Sequence, residues 1–202
     1  MTSFGESHGR AIGVVLDGAR ANIPFDLEEI QKEMDRRRPG QSKVVTQRRE
    51  ADAVEVLSGV YEGKTTGSPI AMIIYNQDQR SKNYDDLKDL FLPGHGDFTF
   101  YKKYGFRDHR GGGRQSGRET ATRVAAGAFA RQVLSKLGVR IVAHAVEIAG
   151  IKAKKCDYDF IEQTPVRCAD PDAAPLMEAA ILKAQSIMAA FWAASPAAPR
   201  YS

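Results

Sequence analysis

Two histidines in this sequence have the surroundings that proton transfer asks for. His8 lies in Phe4-Gly5-Glu6-Ser7-His8-Gly9 and His95 in Pro93-Gly94-His95-Gly96-Asp97, each on a loop between small residues. A histidine so placed can turn into a cleft, and its ordinary pKa near neutrality suits it to carry a proton. A structural histidine is the alternative reading for each. A second kind of chemistry is carried by Arg107-Asp108-His109-Arg110-Gly111-Gly112-Gly113-Arg114-Gln115-Ser116-Gly117-Arg118-Glu119-Thr120, where four guanidinium groups face two carboxylates. Glycines admit an anion close to the backbone, and a helix start behind them turns N–H groups and the positive dipole end toward it. A plain turn with solvated arginines is the alternative there. A third basic stretch, Arg36-Arg37-Arg38 followed by Lys43, Arg48 and Arg49, is balanced nearby only by Glu50 and Asp52. That exceeds what capping one helix needs and favours a polyanionic ligand.

These residues need elements to hold them. Ser116 and Glu119 have capping-box spacing, so a helix is expected from about Gly117. Ala121, Ala125, Phe129, Val133 and Leu137 recur every fourth residue, and Gly138 ends the pattern. Asp26 and Glu29 form a second capping box, opening a helix with Leu27, Ile30 and Met34 on one face and Pro39-Gly40 as its stop. Strands are expected over Ala11 to Leu16, Ala53 to Tyr61, Pro69 to Tyr75 and Val139 to Ile148. The last contains His144, read as structural. The opening residues before Ala11 read as a polar turn. Asn76 to Asp89 is a loop or lid candidate. Phe98, Phe100, Tyr101, Tyr104 and Phe106, interleaved with Lys102 and Lys103, suit stacking on bases or on a flat conjugated ring, or serve as core. Asp157 to Asp172 reads as irregular and Ala173 to Ala184 as a helix.

Of 202 residues, 43% are hydrophobic and 27% charged, the balance of a globular chain with one sizeable core. No run of about 18 apolar residues occurs and no secretory pattern opens the chain, which points to a cytoplasmic protein or to an organellar one lacking its presequence. The two cysteines, Cys156 and Cys168, have neither CxxC spacing nor neighbouring histidines. A reduced compartment and no metal site are expected.

Taken together, Phe4 to Gly9, Asp35-Arg36-Arg37-Arg38-Pro39-Gly40, Thr46-Gln47-Arg48-Arg49-Glu50, Pro93-Gly94-His95 and Arg107 to Arg123 resemble the chorismate synthase family. The resemblance runs in order from the start to about residue 184. It implies an α+β fold, part of a β-α-β sandwich. It also implies a lyase of the shikimate pathway of aromatic amino acid biosynthesis, which eliminates phosphate from 5-enolpyruvylshikimate 3-phosphate to form chorismate. Such enzymes are homotetrameric flavoproteins that need reduced FMN, in some cases made with NADPH. Carried over by motif, His8 and His95 are the catalytic acids. Arg114, Gln115, Ser116, Arg37 and Lys43 fall at cofactor-binding positions, and Arg37, Arg48, Arg107 and Arg118 at substrate-binding positions. Lys43 stands where family members commonly have arginine, and Gly96 and Gly117 stand where alanine is common.

The resemblance also implies further chain on both sides. Residues 1–184 then form the N-terminal part of one domain. Residues 185–202 differ in composition and read as an atypical tail, from a shifted reading frame or a disordered end. Two rival readings are a basic nucleic-acid-binding module, whose affinity would fall steeply with salt, and an inactive structural remnant of the family.

Overall fold

The structure, a computed structural model, describes residues 1–42, 44, 50–77, 89–91, 94, 96–110 and 112–194. It divides into two compact units, Met1–Pro39 with Gln47–Arg140, and Gly40–Thr46 with Ile141–Ser202.

The first unit is built on an antiparallel sheet. Its strands are β1 (Thr2–Gly5), β2 (Ala11–Leu16), β3 (Val54–Ser58) and β6 (Ile70–Tyr75), in the order β1-β2-β6-β3. Two short strands, β4 (Val60–Tyr61) and β5 (Lys64–Thr65), form a separate hairpin between β3 and β6. Alternation decides which face is covered. Ile12 and Val14 on β2, Ile70, Met72 and Ile74 on β6, and Val54 on β3 point to one side and are buried. Helix α1 (Leu27–Arg37) brings Ile30 and Met34 to that core, and α3 (Thr120–Ser135) brings Ala121, Ala125 and Phe129. The alanine-rich face of α3 permits the close approach, and Phe25 packs on Phe129 with ring centroids 5.4 Å apart. Helix and sheet are thus segregated in the α+β manner.

The expected strand over Ala53 to Tyr61 is broken at Gly59. Its φ of +81° and the 2.6 Å between a Cβ built there and the Ile70 Cα admit no side chain without movement. The opening residues form the edge strand β1, paired with β2 from Thr2 opposite Val15 to Gly5 opposite Ile12, where the sequence indicated a turn. Only Glu6 to Arg10 remain as the connecting loop.

Both capping boxes are modified by tertiary partners. Asp26 accepts the Glu29 N–H at 3.0 Å as expected, but the N–H of Asp26 itself goes to the buried Gln132 of α3. Ser116 accepts the Arg118 N–H, and Glu119 turns to Arg114 and Thr122 instead of reaching back. A 3-10 turn, Gly117–Glu119, therefore precedes α3, which begins at Thr120. A charged partner within reach outcompeted the local reciprocal bond.

In the second unit, α4 (Ala173–Ala194) packs Ala173, Ala174 and Met177 on Val166, Cys168 and the hairpin of β7 (Glu147–Ile148) and β8 (Ile151–Lys152). The expected strand from Val139 is confined to β7 and an isolated bridge from Ala145 to Cys168, because Arg140 to His144 find no ladder among the described residues. His144 thus lies outside regular strand, its Nε2 3.9 Å from the Cys156 Sγ. Helix α4 runs ten residues past the expected end at Ala184; alanine, glutamine and methionine favour it without a periodic cue.

Asp170 anchors this unit. Its carboxylate accepts the backbone N–H groups of Lys154, Lys155, Asp172 and Ala173, and the Lys154 bond leads in holding its pKa down to about 2. A depressed carboxyl contributes stability above its unfolded pKa and loses it as pH falls through the folded value. Exchange protection of the N–H groups of Lys154 and Ala173 is expected to decline as pH drops from about 4 toward 2, and Asp170→Asn is expected to remove that pH dependence. Hydrogen exchange by mass spectrometry at graded pH checks this.

Candidate active site

The loop after α2 (Asp97–Tyr104) is held by paired charges. Arg107 binds the buried Asp97 at 3.1 Å and the Leu90 carbonyl at 2.6 Å, with its guanidinium over the Phe91 ring. Arg110 binds Asp108 through Nε and Nη2, and these bonds hold the Asp108 carboxyl below its ordinary range. Arg114 reaches across to β1, donating to Ser3 and the Gly5 carbonyl, and pairs with Glu119 at 2.8 Å. Arg118 is buried and binds Asp52. Each of the four guanidinium groups counted in the sequence is therefore paired with a carboxylate, and two of these, Asp97 and Asp52, come from outside the segment. Their first effect is to fold the glycine loop onto the sheet.

Between α2, this loop and the start of α3 lies an open cleft of about 970 Å³. Gln115 and Ser116 line it, as does Arg114. Phe100 and Tyr104, one turn apart on α2, give it an aromatic wall with ring centroids 4.6 Å apart. Its other charged lining groups are Lys103 and Arg123, both exposed, and no lining residue is acidic among the described residues. Arg123 makes no ion pair with described residues. A cleft with one aromatic wall, unopposed cations and glycine edges accepts a flat ring that carries an anionic group.

His8 sits in the middle of the β1–β2 loop, half-buried, with its Nδ1 3.0 Å from the Oγ of the buried Ser7. Between this loop and the glycine loop is Glu6. A Cβ built on Gly113 would come 2.6 Å from the Glu6 Oε2, and with φ of +46° that position takes glycine. Burial pushes the Glu6 carboxyl up; Arg114 opposes this, while Asp108 and Glu119 add to it. Arg37, expected at a binding position, donates to Asp52 at 2.8 Å and to the Gly117 carbonyl, so it braces the turn before α3. His95, Lys43 and Arg48 lie outside the described residues.

Three contributors have roles that the sequence did not indicate: Arg123 beside the cleft, and Asn76 and Asp52, which bind Arg118. Arg123 was discoverable as an outward position on a strongly periodic helix. Asn76 and Asp52 gave no signal, since their roles depend on partners 42 to 70 residues away.

The chorismate synthase family model matches residues 1–190. Curated relatives named chorismate synthase include that of Methanococcoides burtonii, 57% identical over 189 residues, covering 92% of this chain and 52% of the relative. That of Methanosarcina mazei is 58% identical over 181 residues, covering 88% and 50%. A solved crystal structure of chorismate synthase superimposes with a TM-score of 0.70 at 30% identity, over 92% of this chain and 52% of that one. The chain spans about half the length of the curated relatives it matches.

Proposed function

Because this chain belongs to the chorismate synthase family, we propose that it acts in the family's reaction, the loss of phosphate and a proton from 5-enolpyruvylshikimate 3-phosphate to give chorismate, with reduced FMN bound. The observation that supports this best is the cleft, where an aromatic wall, an acid-free basic lining and the Arg114-Gln115-Ser116 turn meet. These residues fit a flavin mononucleotide by their chemistry: Phe100 and Tyr104 offer ring faces, and Lys103, Arg123 and Ser116 offer donors to a phosphate. A flavin held there would supply transient electron density for an elimination that has no net redox change.

The chain's own residues do the rest. His8, oriented by Ser7, holds and delivers a proton at its imidazole. His95 is assigned to protonate the departing phosphate, on the strength of its motif. The guanidinium groups of Arg37, Arg48, Arg107 and Arg118 are assigned to a substrate bearing two carboxylates and a phosphate, on the strength of their motifs. Arg37, Arg107 and Arg118 are already paired with Asp52 and Asp97, so their share is fixed N–H groups and not net charge. We assign residues 1–184 to one catalytic domain of a cytoplasmic homotetramer, with NADPH as a source of reducing power for the flavin. The absence among the described residues of a helix long and apolar enough to cross a membrane is compatible with that assignment.

Replacing Lys103 and Arg123 together by glutamine is expected to weaken FMN binding about ten- to hundredfold, the loss of one or two charge-assisted contacts. Salt should weaken the parent chain's binding in the same direction. Flavin fluorescence titration at two ionic strengths measures both. Unchanged affinity in the double variant would place the flavin elsewhere.

A further inference from the structure

The loop that carries His8 is held in part by a residue at the end of another strand. Of its backbone groups, the Gly9 N–H donates to the Glu6 carbonyl at 3.0 Å, closing a single turn. What brackets the loop comes from another strand. Asn76, the residue after β6, donates its backbone N–H to the Arg10 carbonyl at 3.1 Å. Its side-chain Nδ2 donates both to the Glu6 carbonyl at 3.1 Å and to the Gly9 carbonyl at 2.8 Å. One amide thus grips both sides of His8. Its Oδ1 accepts the Arg118 Nε at 2.9 Å, which fixes the amide's orientation so that the nitrogen faces the loop. Arg118 is in turn buried against Asp52, on the segment leading into β3.

From these contacts we propose that Asn76 is a positioning residue for His8, and that the buried Asp52–Arg118 pair acts on the His8 loop through it. The inference rests on the reading of His8 as the proton carrier, but the contacts themselves do not. An asparagine is required because only an amide both accepts from a guanidinium and donates two bonds to carbonyls from one side chain. Asparagine is also short enough to do this from the first residue after a strand, where its backbone is already fixed by the sheet.

Two substitutions separate the halves of this role. Asn76→Asp keeps an acceptor for Arg118 and removes the donors to Glu6 and Gly9; Asn76→Ala removes both. Each is expected to speed exchange of the Gly9 amide about tenfold, the equivalent of one lost hydrogen bond, and to move the His8 ring nitrogen resonances. Amides in the middle of α3 should keep their protection, which a general loss of stability would not allow. Gly9 exchange and His8 resonances unchanged in both variants would overturn the proposal. Should neither variant fold, the parent chain still decides. Its Asn76 side-chain protons are expected to exchange slowly and to show scalar coupling to the carbonyl carbons of Glu6 and Gly9. Exchange at the rate of a free amide would overturn it. A chain with this latch intact that binds no flavin would refute the proposed function and leave the latch standing.

Discussion

Replacing His8 by alanine is expected to lower turnover with reduced FMN by about 10²- to 10⁴-fold, the range for a positioned acid–base group. The expectation follows from how the ring is held. Ser7 is buried and its hydroxyl lies 3.0 Å from the His8 Nδ1, so one ring nitrogen is fixed by the protein. The loop is closed by β1 and β2 on either side, whose pairing runs up to Gly5 opposite Ile12. A ring so fixed delivers its proton along one direction, and alanine leaves nothing in its place. Because His8 does not line the basic cleft, flavin affinity should change by less than about threefold, inside the few tenths of a kcal/mol that a substitution remote from a contact brings. Steady-state turnover and flavin titration on the same preparation check the split. A parallel loss of affinity and turnover would mean that His8 binds and does not transfer protons.

The largest effect on stability is expected at Asp52. Its carboxylate has no solvent exposure, accepts from Arg37 at 2.8 Å and pairs with the buried Arg118. The next carboxylate available to Arg118 is Glu50, 3.8 Å from its Nη2. Asp52 also has a φ of +50°, which asparagine tolerates, so Asp52→Asn removes the charge while sparing the backbone. The cost is expected to be about 3–5 kcal/mol, that of leaving a buried guanidinium without its partner. For a domain stable by about 5–15 kcal/mol this is a large fraction. Urea denaturation should show a lower midpoint with an unchanged slope. A loss below about 1 kcal/mol, the range of an exposed pair, would mean that water reaches Arg118.

Much of this was legible in the sequence where local rules act without competition. The helices from Leu27 and Thr120, the strands β2 and β6, and the glycine-flanked histidine all follow from spacing and residue type. The sequence also showed a cluster of arginines around three glycines. What it could not show is that Asp97 and Asp52 come from elsewhere to neutralise two of them, because ion pairing across 10 and 66 residues leaves no periodic trace. The extent of β1 and of α4 was missed for related reasons. An edge strand of Thr2-Ser3-Phe4-Gly5 is defined by its partner β2 and not by its own propensity, while the alanine-rich run after Ala184 extends a helix without a second face to mark it. The strand expected from Val139 had the propensity but found no partner among the described residues.

Titration of the purified 202-residue chain with FMN under reducing conditions, with 5-enolpyruvylshikimate 3-phosphate present, separates a flavin-dependent enzyme from its rivals. Flavin absorbance and chorismate formation are followed together. The expected result is saturable flavin binding with chorismate produced, binding weakened by Lys103→Gln with Arg123→Gln, and turnover lost in His8→Ala. A well-folded chain that binds no flavin, or that binds nucleic acid indifferently to flavin, would contradict it.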